Sequence, residues 1–235
     1  MNFPMMTKLS GARPCLAVFD CDGTLVDSQH AIVNGISLAC EALGLPMPPA
    51  AAIRRGIGLP LKVAIGQLFP GHESDLHDRL VQFYKDNFVR LRQRPDHVEP
   101  LFDGIADTLA SLRAAGWLLA VATGKARRGL LATLGRHGLT EVFDVLQTAD
   151  DAPGKPHPGM LLNAMATLGV DPADTVMIGD TTFDMEMARA AKVAAIGVGW
   201  GYHEPDELSQ AGARAVIAQG HALVPAVMDW AANRR

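Results

Sequence analysis

Asp20 and Asp22 stand two residues apart at the end of a short apolar run, Leu16-Ala17-Val18-Phe19. If that run is a strand, its period of two sends both carboxylates off one face and Cys21 off the other. Two carboxylates held about 4 Å apart repel by about 4 kcal/mol at an effective dielectric near 20. A hard divalent cation such as Mg2+ would offset that repulsion. Asp180 and Asp184, at the mouth of another apolar run, could complete its oxygen shell. Taken singly, each aspartate is equally a turn or N-cap residue. Thr123-Gly124 closes a further apolar run, where a hydroxyl beside free backbone N–H groups at a helix start makes a seat for an oxyanion or phosphate. The same pair can simply turn a corner. Lys155 lies in Gly154-Lys155-Pro156-His157-Pro158, a turn stiffened by proline. There it is either a fixed positive charge for a phosphoryl group or an ordinary loop lysine.

These residues need elements to hold them. Trp117-Leu118-Leu119-Ala120-Val121-Ala122 before Thr123, Thr175-Val176-Met177-Ile178 before Gly179-Asp180, and Val193-Ala194-Ala195-Ile196 before Gly197 repeat the pattern seen at Asp20. Each reads as a buried strand stopping at a polar turn, with Val145-Leu146 as a weaker case. Between them lie helical stripes closed by glycine: Ile105, Leu109 and Leu112 before Gly116, Leu130, Leu131 and Leu134 before Gly138, and Leu161, Met165 and Leu168 before Gly169. Alternating strands and helices imply βαβ units and a parallel sheet covered on both faces. Ligands bind such sheets at the carboxyl ends of the strands, where the clusters at Asp20, Thr123 and Gly179-Asp180 fall.

Residues 29–98 break the alternation. Ile32, Ile36, Cys40 and Leu43 form one helical stripe, and Leu76, Leu80, Phe83, Phe88 and Leu91 a longer one. The expected division is therefore an α/β core of residues 1–28 and 99–235, with an inserted helical cap domain of residues 29–98. The insertion carries 8 Lys+Arg against 6 Asp+Glu, whereas the rest of the chain is acidic. A slightly basic lid over an acidic rim suits an anionic substrate. The cluster Arg90, Arg92 and Arg94 reads as a solvated helix face.

Composition narrows the partners. The 235 residues carry 21 Lys+Arg and 25 Asp+Glu, a net charge of −4, with 6% aromatics. That argues against nucleic acid as a partner, which would call for basic stripes and stacking rings. No stretch approaches the roughly 20 apolar residues of a membrane span, and Met1 to Cys15 holds no run of signal-peptide length. The expectation is a cytoplasmic protein without membrane association and of open oligomeric state. Three cysteines, Cys15, Cys21 and Cys40, lack disulfide or zinc spacing and read as buried free thiols.

In order along the chain, Asp20-Cys21-Asp22-Gly23-Thr24-Leu25-Val26-Asp27-Ser28, Thr123-Gly124, Lys155-Pro156-His157-Pro158 and Gly179-Asp180-Thr181-Thr182-Phe183-Asp184 resemble the four motifs of the haloacid-dehalogenase-like (HAD) hydrolase superfamily. The resemblance spans about residues 15–200 and implies a Rossmann-like parallel sheet core with an inserted all-α cap. It also implies roles. Asp20 is the nucleophile that forms an aspartyl-phosphate. Asp22 protonates the leaving oxygen and then deprotonates water, while its main-chain carbonyl binds Mg2+. Asp180 is a direct metal ligand, and Asp184 supports the metal or Lys155. Thr123 and Gly124 hold phosphoryl oxygens, and Lys155 neutralises the nucleophile and the transferring group. An acid at the position of Asp22 resembles phosphatases and phosphomutases rather than dehalogenases, and the first and third motifs look most like the phosphoglycolate phosphatase branch.

The function this implies is a Mg2+-dependent phosphatase acting on a small anionic phosphorylated metabolite. A sugar phosphomutase of the same superfamily and a non-catalytic phosphate-binding regulator are the alternatives. Arg54-Arg55-Gly56-Ile57-Gly58-Leu59-Pro60 interrupts the insertion as a loop approaching the core would, so Arg54 or Arg55 could meet a substrate carboxylate or face solvent. Lys62 and His97 are weaker candidates. The stretch after Gly199 reads as core completion without chemical signal.

Overall fold

The computed structural model describes residues 13–92, 94 and 98–234. Six parallel strands form one sheet: β1 (Leu16–Phe19), β2 (Leu118–Ala122), β3 (Val145–Gln147), β4 (Thr175–Gly179), β5 (Ala194–Val198) and β6 (Ala215–Ile217), in the spatial order β3-β2-β1-β4-β5-β6. The order reverses between β1 and β4, and that switch point opens a crevice at their carboxyl ends. Register sets the crevice walls level: Phe19 pairs with Val121 on one side and with Ile178 on the other.

Strand side chains alternate between two cores, as a period of two requires. Ala17, Phe19, Leu119, Val121, Val176 and Ile178 face one layer, built from α5 (Ile105–Ala114), α6 (Arg127–Arg136) and α10 (Leu223–Asn233). Leu16, Val18, Ala120, Ala122 and Met177 face the other, built from α7 (Gly159–Leu168), α8 (Thr182–Ala190) and α9 (Pro205–Ala211). Both faces being buried explains why the strands read as continuous apolar runs. Gly116, Gly138 and Gly169 take left-handed backbone, with φ of 82°, 67° and 66°, where the stripes predict the helices to stop.

The segment between β1 and α5 is helical: α1 (Gln29–Leu43), α2 (Ala50–Arg55), α3 (Leu61–Leu68) and α4 (Ser74–Arg92). It packs around a third apolar cluster of its own, including Ile36, Cys40, Ile53, Ile65, Phe69 and Leu80. The chain leaves and re-enters the α/β layers through paired linkers, since Val26 bridges Leu101 and Asp27 N–H donates to Pro100 O at 2.9 Å. No described helix is long and apolar enough to cross a membrane.

The sequence reading misses β6. Its three residues are exposed or half-buried at the sheet edge, so Ala-Val-Ile lacks the apolar length that marks the inner strands. If the central strands carry the fold, Leu119→Ala should lower the unfolding free energy by about 2–5 kcal/mol in urea titrations. The exposed Leu162→Ala should change it by no more than about 0.5 kcal/mol.

Candidate active site

The strand ends are tied down by ladder bonds that continue one residue past the strands. Asp20 N–H donates to Ile178 O at 2.9 Å, and Thr123 N–H to Gln147 O at 3.1 Å. Asp20, Thr123 and Asp180 thus project from adjacent strands onto one rim. Lys155 arrives from the loop before α7, its side chain fully buried, with Nζ 2.7 Å from Asp20 Oδ1 and 2.6 Å from Asp184 Oδ1. Asp184 sits at the start of α8 as half of a capping box, its Oδ2 accepting from Thr181 N–H at 3.1 Å and Thr181 Oγ1 at 2.7 Å. Asp180 accepts from Thr24 Oγ1 at 2.8 Å and from Tyr202 N–H at 3.0 Å. Gly23 is required here twice over. Its φ is +88°, and a Cβ would lie 2.2 Å from Asp180 Oδ2.

Charge does not balance among these groups. One carboxylate oxygen from each of Asp20, Asp180 and Asp184 lies within 4.8 Å of the others, so each ionised pair repels by about 3 kcal/mol or more at an effective dielectric near 20. Lys155 cancels one charge of three, leaving an excess of two. Burial, reinforced by the neighbouring carboxylates, pushes the Asp20 and Asp180 carboxyls up, with Lys155 pulling Asp20 back down. Burial works against the charge on Lys155, but Asp184 and Asp20 outweigh it and raise its pKa. Asp20 Oδ2 is buried without a hydrogen-bond partner. A buried excess of two negative charges, all on hard oxygen donors, with one oxygen unspoken for, is a fit for a divalent cation.

Asp22 departs from the expected geometry. The chain turns immediately after β1, so Asp22 does not continue the strand face of Asp20, and its carboxylate lies outside the acidic cluster. It bonds instead to Ser28 Oγ and to Lys125 Nζ. Burial would raise its pKa, yet Lys125, Ser28 and Arg92 outweigh that and hold it below the usual carboxylate range. Cys21 packs into the sheet core as expected. Lys125, which the sequence reading passes over, is thus the ion partner of one central residue, its side chain only 8% exposed. It is also 3.9 Å from Glu99, itself 3.8 Å from Arg92. Arg92 is not the solvated cation expected. It is 16% exposed and lies over the Phe88 ring at 4.6 Å.

A family model described as haloacid dehalogenase-like hydrolase matches residues 17–198. The Dickeya dadantii protein named Probable phosphatase IndB is 42% identical over 204 residues, covering 86% of this chain and 88% of that one. The chain belongs to the haloacid dehalogenase-like hydrolase family. The protein named Tyrosine-protein kinase PtkA of Mycobacterium tuberculosis is 33% identical over 197 residues, 83% of this chain and 66% of its own length. A phosphoglycolate phosphatase of Pseudomonas savastanoi is 27% identical, covering 95% of this chain and 84% of that one. Among solved structures, a hydrolase from Pseudomonas syringae superposes with a TM-score of 0.80 at 25% identity, covering 92% of this chain and 98% of that one.

In this haloacid dehalogenase-like chain the helical segment closes directly onto the rim. A Cβ on Gly124 would lie 2.9 Å from Gly58 O and 3.1 Å from Leu59 O, and one on Gly154 would lie 2.2 Å from Pro60 Cγ. The loop expected to approach the core does so. Arg55 does not point to a substrate, since its guanidinium forks onto Glu207 of α9 at 2.8 and 3.1 Å. That fork holds the Glu207 carboxyl at about 2. Arg54 is half-buried and makes no side-chain bond among the described residues. Lys62 pairs with Asp78 of α4 at 2.5 Å. His97 lies outside the described residues. The stretch after Gly199 is not chemically silent. Tyr202 holds Asp180 through its N–H and lies 3.2 Å from Ser28 Oγ through its hydroxyl. His203 Nδ1 accepts from Thr182 N–H at 3.2 Å, which leaves Nε2 as donor to Arg55 O, also at 3.2 Å.

His203 therefore clasps α2 to the start of α8 in its neutral form, and burial keeps its pKa below the ordinary 6.5. As pH falls below about 6.5, the unfolded chain takes up a proton that the folded one refuses, so stability drops. The unfolding free energy of the native protein should decline from pH 6.5 downward, and His203→Gln should remove that first part of the decline. A further loss, from about 4.5 down to about 2, belongs to Glu207 and should survive in the variant. Urea unfolding at stepped pH reads both.

Proposed function

We propose that this chain is a Mg2+-dependent phosphatase that hydrolyses a small anionic phosphate monoester through an aspartyl-phosphate on Asp20, with a phosphoglycolate-like metabolite as the substrate class. The observation that carries the reading is Asp20 itself, with one oxygen held by Lys155 and the other buried and unpartnered beside Asp180 and Asp184. The names of the relatives, phosphatase among them, support it.

Asp20, Asp180 and Asp184 would hold the metal, joined by the main-chain carbonyl of Asp22 that the family resemblance implies. Bound Mg2+ would neutralise charge on the phosphoryl oxygens and let an anionic nucleophile meet an anionic ester. The Asp20 carboxylate attacks phosphorus while Lys155 keeps it aligned and Thr123 with the Gly124 N–H takes the equatorial oxygens. The ester oxygen leaves with a proton from Asp22. Water then attacks the aspartyl-phosphate, gives its proton to Asp22, and free phosphate departs with Asp20 restored. Paired with Lys125, Asp22 is ionised and poised as the base; its acid role requires that it first take up a proton. Residues 29–98 serve as a cap that excludes water during the first transfer.

Phosphate release from a panel of small esters, phosphoglycolate and sugar phosphates included, tests this. Release should need Mg2+, cease with EDTA, and fall at least about 10³-fold in Asp20→Asn. Release unaffected by Asp20→Asn would overturn the reading. So would transfer of the phosphoryl group within a sugar without free phosphate, or no turnover of any ester.

A further inference from the structure

A cavity of about 340 Å3 lies at the opposite rim of the sheet, lined by Pro172, Ala173, Val193, Ala194 and Ala195 where β4 and β5 begin, and by Arg214 just before β6. The five residues of β5 separate it from the catalytic rim by about 16 Å. Its volume falls in the range of small-molecule sites.

The charged residues that line it are all basic. Arg189, Lys192, Arg214 and Arg234 line it, and no Asp or Glu does, in a chain with 25 acids and 21 Lys+Arg. Arg234 is spoken for, since its Nε lies 2.9 Å from Asp174 Oδ1 and its guanidinium lies 5.9 Å from the Trp230 ring centre. Arg189, Lys192 and Arg214 make no side-chain hydrogen bond or ion pair among the described residues. Arg189 has a local reason to be basic, because it ends α8, where the helix dipole favours a cation. Lys192, two residues past the end of α8, shares that reason, whereas Arg214 lies just before β6 and has none. Lys192 even holds its charge at a φ of +59°, a helix-terminating position that glycine or asparagine fills with less strain. Arg189, Lys192 and Arg214 are exposed, and mutually repelling cations around a concave space are completed by a compact multivalent anion.

We propose that this cleft is a second binding site, distinct from the catalytic rim, for a phosphate-bearing small molecule. Arg189 and Arg214 grip the anion and Lys192 closes the third side. The site does not depend on the phosphatase reading, because none of its residues belongs to that machinery.

Calorimetric titration of inorganic pyrophosphate into the protein in EDTA at low salt tests it. EDTA removes the metal with which the acidic rim would hold an anion, and Asp20→Asn reports any binding that remains there. One site per chain is expected, weakened at least tenfold in the variant carrying Arg189→Ala, Lys192→Gly and Arg214→Ala, and unchanged in Asp20→Asn. Lys192→Gly alone, which suits the left-handed backbone, should weaken binding without lowering the melting temperature. No binding to the native protein would overturn the proposal, as would equal binding by the triple variant or loss of binding in Asp20→Asn.

Discussion

A single buried ammonium holds the acidic rim together. Lys155 bridges Asp20 at the end of β1 and Asp184 at the start of α8, with none of its side chain exposed. Burying three charges is costly, and it becomes tolerable only because the pairing is tight and other donors serve Asp180 and Asp184. The sheet makes this pairing possible. Parallel strands in register deliver Asp20 and Asp180 to adjacent positions at the switch point, so carboxylates 160 positions apart in sequence meet without any long side chain having to search for them. What the pairing leaves over, an acidic excess and an unpartnered oxygen, is what makes the rim a fit for a divalent cation.

A second, separate pairing governs Asp22. Lys125, Ser28 and the Glu99–Arg92 group form a buried polar strip running from the rim toward the linkers of the helical segment. The two motif aspartates therefore sit in different electrostatic surroundings, one pushed up by burial and the other held down by its lysine. Groups whose environments drive them apart are suited to different tasks in one reaction. The helical segment adds its own contacts, with the Gly58-Leu59 backbone against Gly124 and the Arg55 fork on Glu207. Access to the rim is thereby tied to the same contacts that hold the two layers together.

How much of this is legible in the sequence depends on how local each signal is. β1, β2, β4 and β5 are readable because strands buried on both faces must be continuously apolar and must stop at polar turns. β6 is not, because an exposed edge strand has no such demand. Asp20, Thr123 and Asp180 stand at predicted strand ends, so their convergence follows from topology, while Lys155 reaches them from a proline-stiffened turn and Asp184 from the start of the following helix. The partnership of Lys125 with Asp22, 103 residues away, follows from side-chain reach, which spacing does not encode, although a lysine two positions after Thr123 was a usable signal. Tyr202, His203 and Glu207 are harder still. They act through one main-chain N–H, one ring tautomer and one surface fork, none of which has a residue-type signature.

The most direct test of this electrostatic account is metal binding itself, read as thermal stability. A divalent cation that binds only the folded rim stabilises it by about 2.7 kcal/mol at a hundredfold excess over its Kd. Melting with Mg2+ should therefore occur several degrees above melting in EDTA, and Asp180→Asn should abolish most of that difference while melting normally in EDTA. Identical melting of the native protein in both conditions, or a full Mg2+ shift retained by Asp180→Asn, would contradict the claim that the excess charge at Asp20, Asp180 and Asp184 exists to hold a cation.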